Sequence, residues 1–181
     1  MTVDVSDLPT AALARDDGLV DHVRGDLDAP VTLLEYGDYE CPYCAAAAPV
    51  LDEVVAESDG RVRLIFRNFP LHAVHPYALT AALAAEAAAA QGAFWPMHDL
   101  LLTYQSRLSD WDLAKYAKKL GLDPTLVVGD PAQPHGDKVE ADFALGLAAG
   151  VGGTPTVFID GRRYEGRFDV TSLRRAAGLT G

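Results

Sequence analysis

Hydrophobic positions change their spacing along the chain, and the changes mark out strands and helices. Val31 to Tyr36, bounded by Pro30 and Gly37, is a short run with Val, Thr, Leu and Tyr and reads as a buried strand. Beyond Cys41, the apolar residues Ala47, Val50, Leu51, Val54 and Val55 recur at helical spacing, with Asp52, Glu53 and Glu57 on the other side. This predicts an amphipathic helix ending near Gly60, kinked at Pro49, where a backbone donor is missing. Val62 to Phe66 is a second strand, stopped by Asn68 and Pro70. Strand, crossover helix and strand make a parallel βαβ unit.

The middle of the chain carries only helical patterns. Pro76 to Gln91 is alanine-rich, with a proline in its first turn and Gly92 as its stop. Phe94 to about Gln105 is a second helix, and Ser109 with Asp112 forms a capping pair opening a third, which Gly121 closes. A turn-rich stretch, Gly129 to Gly136, leads to a helix from about Asp137 to Ala149. The alanine runs at 45–48 and 87–90 read as helix filler. Strands return at Thr156–Ile159 and Arg163–Tyr164, joined by Asp160-Gly161, which favours a tight hairpin. Asp169 caps a last helix that stops at Gly178. The order β, α, β, helical insert, β, β, α predicts one α/β domain over 18–181, with an arm at 1–17 and the insert at about 74–149.

Composition narrows the function classes. The net charge of -11 argues against a nucleic-acid partner, which clustered Lys and Arg would hold, and Lys115, Lys118 and Lys119 read as a solvated helix face. No stretch approaches the roughly 20 apolar residues of a membrane span, so no membrane partner is expected. Met1 to Gly18 lacks the pattern of a secretory signal, which gives a cytoplasmic expectation.

The only cysteines, Cys41 and Cys44, frame Cys41-Pro42-Tyr43-Cys44 where a strand ends and a helix begins. Helix N-termini offer unpaired N–H groups and partial positive charge, both favouring a thiolate, so Cys41 is the expected attacking thiol. Cys44, one turn on, is the more buried resolving sulfur. Pro42 suits the first helical position. The same spacing also forms half of many zinc sites, which would recruit His72 and His75 across an unusually long gap, or it forms a purely structural disulfide. Glu35, in an apolar strand six positions earlier, either takes the proton of Cys44 or points to solvent. Gly152-Gly153-Thr154-Pro155 is either a plain turn or a cis Thr154-Pro155 bond beside the cysteines, with the Thr154 backbone pairing with an extended substrate. Phe94, Trp95, Met97 and His98 read as helix core rather than as a substrate groove, and histidines 72, 75 and 98 as core or surface residues.

Several segments together resemble the DsbA-like branch of the thioredoxin superfamily: Thr32 to Glu40 leading into the cysteines, Phe66-Arg67-Asn68-Phe69-Pro70-Leu71, Phe94-Trp95-Pro96-Met97-His98-Asp99 and Gly153-Thr154-Pro155-Thr156. The resemblance covers about residues 20 to 178. It implies a thioredoxin-like fold with a helical insertion, a cis Pro155, a functional acid at Glu35 and thiol-disulfide exchange with protein or small-molecule partners. A recycling reductase or oxidase is implied, and no cofactor. Pro42-Tyr43 is the dipeptide of glutaredoxins, which keeps a glutathione-linked activity as an alternative beside a non-enzymatic zinc-holding module.

Overall fold

The computed structural model describes residue 13 and residues 15–179, so most of the arm expected at 1–17 lies outside the described residues. Among these residues one mixed sheet forms from β1 (His22–Gly25), β2 (Val31–Gly37), β3 (Val62–Asn68), β4 (Thr156–Ile159) and β5 (Arg162–Arg163). Its order is β1-β3-β2-β4-β5. β2 and β3 run parallel with Glu35 opposite Phe66, and β2 and β4 antiparallel with Glu35 opposite Val157. Helix α1 (Pro42–Ala56) is the crossover between β2 and β3. Four α-helices separate β3 from β4: α2 (Ala78–Ala89), α3 (Phe94–Thr103), α4 (Asp110–Lys119) and α5 (Gly136–Ala148), and α6 (Val170–Ala176) follows the last hairpin.

The central strand is apolar on both faces because both faces are covered. Leu33, Leu64, Val157 and Ile159 pack with Ala47, Leu51 and Val54 of α1 and with Leu173 and Ala177 at α6. On the reverse face Leu34, Tyr36, Ile65 and Phe158 meet Phe69, Val151 and half-buried Phe143 of α5. Gly146 permits that contact, since a Cβ there would sit 2.6 Å from the Phe69 ring. The inserted helices build a third cluster, joined to the sheet through Tyr39, Cys41, Cys44 and Phe66.

Several sequence expectations need correction. β1 carried no strand signal that could be read: it is four residues long and pairs only at the sheet edge, with β3. β3 continues to Asn68, held by pairing with β2 as far as Gly37. The short last strand lies at Arg162–Arg163 rather than Arg163–Tyr164, although Tyr164 N–H still donates to Val157 O at 2.8 Å. Asp160 and Gly161, at φ 47 and φ 80, supply the two left-handed positions that the hairpin turn needs. α2 starts at Ala78, because Pro76 belongs to a preceding turn in which Ala78 N–H donates to His75 O. Its alanines are no filler: Ala81, Ala82, Ala84, Ala85, Ala87 and Ala88 are all buried, which lets neighbouring helices approach closely.

A buried polar network fastens these layers. The Arg67 guanidinium is wholly buried and donates to both oxygens of Asp21, at 2.9 and 2.8 Å, and to Tyr36 Oη at 3.0 Å. Asp142 accepts from Arg15, Lys138 and the Asn68 backbone, while Glu86 accepts from Asn68 Nδ2 and pairs with His22. Removing one partner of such a buried pair leaves the other uncompensated, at a typical cost of about 3 kcal/mol or more. Arg67→Met should therefore lower the unfolding free energy by that amount, read as a lower urea midpoint at unchanged slope. A loss below about 1 kcal/mol would mean that the network closes without the guanidinium.

Candidate active site

Cys41 is the N-cap of α1, in extended conformation at φ -75 and ψ 120, and Pro42 is the first helical residue. The helix start thus turns its free N–H groups toward the Cys41 sulfur. Cys44 lies one turn on and is fully buried, and only 3% of Cys41 is exposed. Both are free thiols. The Thr154-Pro155 bond is cis, and this loop reaches the cysteines: Cys41 Sγ donates to Thr154 O at 3.3 Å. Asp38 N–H donates to Cys44 Sγ at 3.4 Å.

These contacts separate the two sulfurs chemically. The pKa of Cys41 is held down to about 5, first by the thiol of Cys44 as hydrogen-bond donor, with burial opposing. The N–H groups of Cys44 and Tyr43 add to the lowering. Cys44 is pushed far above the ordinary thiol range by the same bond to Cys41, by burial and by the charge of Glu35. One sulfur is a ready thiolate at neutral pH while its neighbour keeps its proton.

Glu35 does not point to solvent. It is 1% exposed, in the centre of β2, and neither carboxylate oxygen has a hydrogen-bond partner among the described residues. Burial raises its pKa to about 8, with smaller contributions from Asp52 and Cys41. Gly37 keeps the space beside it narrow, since a Cβ there would lie 2.3 Å from the Phe66 ring and 3.4 Å from Glu35 Oε1. The structure therefore gathers Cys41, Cys44, Glu35, Thr154 and Pro155 in one place. Exposed Tyr43 joins Ala46, Ala47, Thr154, Pro155 and Phe168 around an open groove of about 320 Å³.

Other candidates fall outside this group. Met97 and His98 are buried, and His98 sits among Tyr39, Phe66, Phe94 and Trp95, where burial holds its pKa near 3. His72 is exposed and His75 pairs with Asp38. Among the described residues no group of three or more His, Cys, Asp or Glu is placed to hold a metal ion. Two residues at the site escaped sequence reasoning. Gln105, after α3, donates from Nε2 to Tyr39 O at 2.9 Å and to Cys41 O at 2.7 Å. Asp38 ties the same loop together through its backbone and carboxylate. The Gln105 contacts and the Asp38–Leu71 contact join segments far apart in sequence, so no periodicity reveals them.

The raised pKa of Glu35 has a signed consequence for stability. The unfolded chain loses this proton near pH 4.5 and the folded chain near pH 8, so stability falls as pH rises through that window, by up to about 1.4 kcal/mol per pH unit. The Cys41 thiolate acts in the opposite sense. In a Cys41→Ser background, Glu35→Gln should remove the fall between pH 5 and 8 in urea titrations. An unchanged pH slope would place the Glu35 pKa in the ordinary range.

Comparison with known proteins places this geometry. The thioredoxin family model matches residues 18–177. A stretch of the Na(+)/H(+) antiporter NhaA 3 of Salinispora tropica is 46% identical over 157 residues, which are 86% of this chain but 24% of that protein. The chain thus spans about a quarter of the length of the curated relatives it matches, and among its described residues no helix is long and apolar enough to cross a membrane. BdbD from Bacillus subtilis superposes with a TM-score of 0.79 at 24% identity, covering 89% of this chain and 94% of that one. The thiol-disulfide exchange protein α-DsbA2 from Wolbachia pipientis superposes at 0.80 and 23% identity, over 96% and 92% of the two chains. Superpositions of this extent show a shared fold, helical insert included, and the chain belongs to the thioredoxin family.

Proposed function

We propose that this protein exchanges its Cys41–Cys44 dithiol or disulfide with the disulfides or thiols of protein or small-molecule partners. The observation that carries the reading is the division of labour at the site: a thiolate at Cys41, a thiol at Cys44 and an unpartnered buried acid at Glu35. Cys41 attacks one sulfur of a partner disulfide, a mixed disulfide forms, and the other partner sulfur leaves as a thiolate. The ionised form of Glu35 gains ground toward pH 8 and once the Cys41 charge is consumed in the mixed disulfide. It then takes the proton of Cys44, directly or through water, and the new thiolate attacks Cys41 Sγ and releases the partner. In the reverse direction the same bonds form and break with the protein disulfide as oxidant. Pro42 and Tyr43 set the conformation and surroundings of the helix start. The backbone of Thr154, just outside β4, is where an extended partner segment pairs, and the apolar groove beside Pro155 accepts one of its side chains.

The sulfurs carry the electrons, so the reaction asks for no cofactor, but a recycling reductase or oxidase must reset the pair. Sodium/proton exchange, named for the Salinispora relative, belongs to a protein of which this chain matches 24%, and we do not carry it over.

Two measurements test the reading. With a model disulfide, Cys41→Ser should abolish exchange and Cys44→Ser should stop at a stable mixed disulfide, visible on a non-reducing gel. Glu35→Gln should leave the first attack intact and slow resolution by about 10- to 100-fold at pH 7. Wild-type turnover by Cys44→Ser would sink the two-sulfur mechanism. Because a stabilised thiolate favours the reduced form, the glutathione equilibrium should place the couple between thioredoxin, at about -270 mV, and DsbA, at about -120 mV. A value at or below the thioredoxin figure would contradict the depressed Cys41 pKa.

A further inference from the structure

The loop between β2 and α1 is organised around one buried carboxylate. Asp38 is 1% exposed; Oδ1 accepts from Glu40 N–H at 2.7 Å, and Oδ2 accepts from Leu71 N–H and from His75 Nδ1, each at 2.8 Å. Its backbone reaches both cysteines, donating to Cys44 Sγ and accepting from Cys41 N–H at 3.2 Å. Asp38 thus couples the dithiol to the turn that follows β3. In that turn His75 is the titrating member, with its side chain 21% exposed. Because a carboxylate can only accept, Nδ1 is the donor and Nε2 is the atom that gains or loses a proton. The charges that act on the ring are those of Asp38, which it touches, and of Glu40 and Cys41 from the loop and helix start, and the same turn carries exposed His72. The His75 pKa is raised, first by the hydrogen bond to Asp38, with burial opposing and with Cys41 and Glu40 adding through their charge.

We propose that His75, anchored by Asp38, is a positioning residue for the dithiol: a cation held in the field of Cys41, so that its protonation and that of the Cys41 thiolate are coupled and set the redox balance of the pair. The inference rests on the dithiol exchange proposed above. When a partner dithiol reduces the protein, two electrons pass into the Cys41–Cys44 bond, the partner becomes a disulfide and two protons are freed. One proton goes to Cys44, and Cys41 remains a thiolate. The other is taken by His75 where the ring is neutral, or by water where it is already charged. By linkage, the factor by which the imidazolium favours the thiolate equals the factor by which the thiolate favours the imidazolium.

The test separates charge from hydrogen bonding. His75→Gln keeps an N–H for Asp38 and removes the charge, whereas His75→Lys keeps a charge that does not titrate near neutral pH. In His75→Gln the apparent Cys41 pKa, read from alkylation rate against pH, should rise by about half a unit, and the glutathione equilibrium at pH 7 should shift about threefold toward the disulfide. His75→Lys should restore the wild-type values. If a substituted protein folds poorly, the His75 ring proton followed by NMR carries the test: it should titrate at higher pH in the reduced wild type than in Cys41→Ser. Identical His75 titrations in those two proteins, or a His75→Gln variant with unchanged Cys41 pKa and equilibrium, would overturn the inference. None of these readouts needs turnover. A protein that fails to exchange with any disulfide yet shows the His75 coupling refutes the exchange reading and leaves the coupling standing.

Discussion

A thiolate at the N-cap of α1 and a buried carboxyl group that feels its charge belong to one site, and the rest of the site is arranged around that conflict. The helix start favours negative charge at Cys41, through the N–H groups of Tyr43 and Cys44 and the thiol of Cys44. The apolar sheet disfavours it at Glu35, which has no hydrogen-bond donor. With Phe66 and Val157 flanking Glu35 across β2, the acid is placed by strand register, and a slip of one residue would turn it to the opposite face. Sheet pairing therefore fixes the chemistry as much as the cysteine spacing does. Gly37 belongs to the same constraint, because any larger residue there would displace the Phe66 ring beside Glu35.

Much of the fold was legible because its signals are local. The Ser109 cap accepting from Asp112 N–H, the left-handed stops at Gly92 and Gly121, and the Asp160-Gly161 turn are each decided by two or three neighbouring residues. What escaped was decided by distant partners. The edge strand His22–Gly25 exists through its pairing with β3, and α2 starts two residues late because His75 and Pro76 are held in a turn by Asp38. At the site, Cys41 and Cys44 could be found from their spacing and place in the chain. The burial of Glu35 could only be posed as an alternative, and Asp38 and Gln105 gave no signal, since their function at the site is to join loops 30 or more residues apart in sequence.

The inserted helices do more than enlarge the domain. Their cluster includes Cys41, Cys44 and Tyr39, so the far wall of the active site is built from the insert rather than from the sheet. The joint is polar as well as apolar. Asn68, at the end of β3, donates to Glu86 of α2 and to Asp142 of α5, and Arg67 beside it reaches Asp21 before β1. The Phe66-Arg67-Asn68 run thus supplies, in three consecutive residues, an aromatic neighbour in the cluster of the dithiol, a tie to the segment before β1 and a fastener between the insert and the sheet. A buried network of this kind adds little net stability compared with an apolar core, but its directional bonds fix how the two layers sit against each other.

That fixed seating bears on the sulfurs because their chemistry depends on hydrogen-bond partners from three separate segments. Asp38 N–H reaches Cys44 from the loop after β2, Thr154 meets Cys41 from the loop before β4, and Gln105 holds the Cys41 carbonyl from the segment after α3. Hydrogen bonds weaken steeply with length and misalignment, so a shift of the insert by a fraction of an ångström would change the charge balance between Cys41 and Cys44 before it broke any packing contact. Rigid layers around a pair of sulfurs one helical turn apart are the physical means by which the two thiols are kept far apart in acidity.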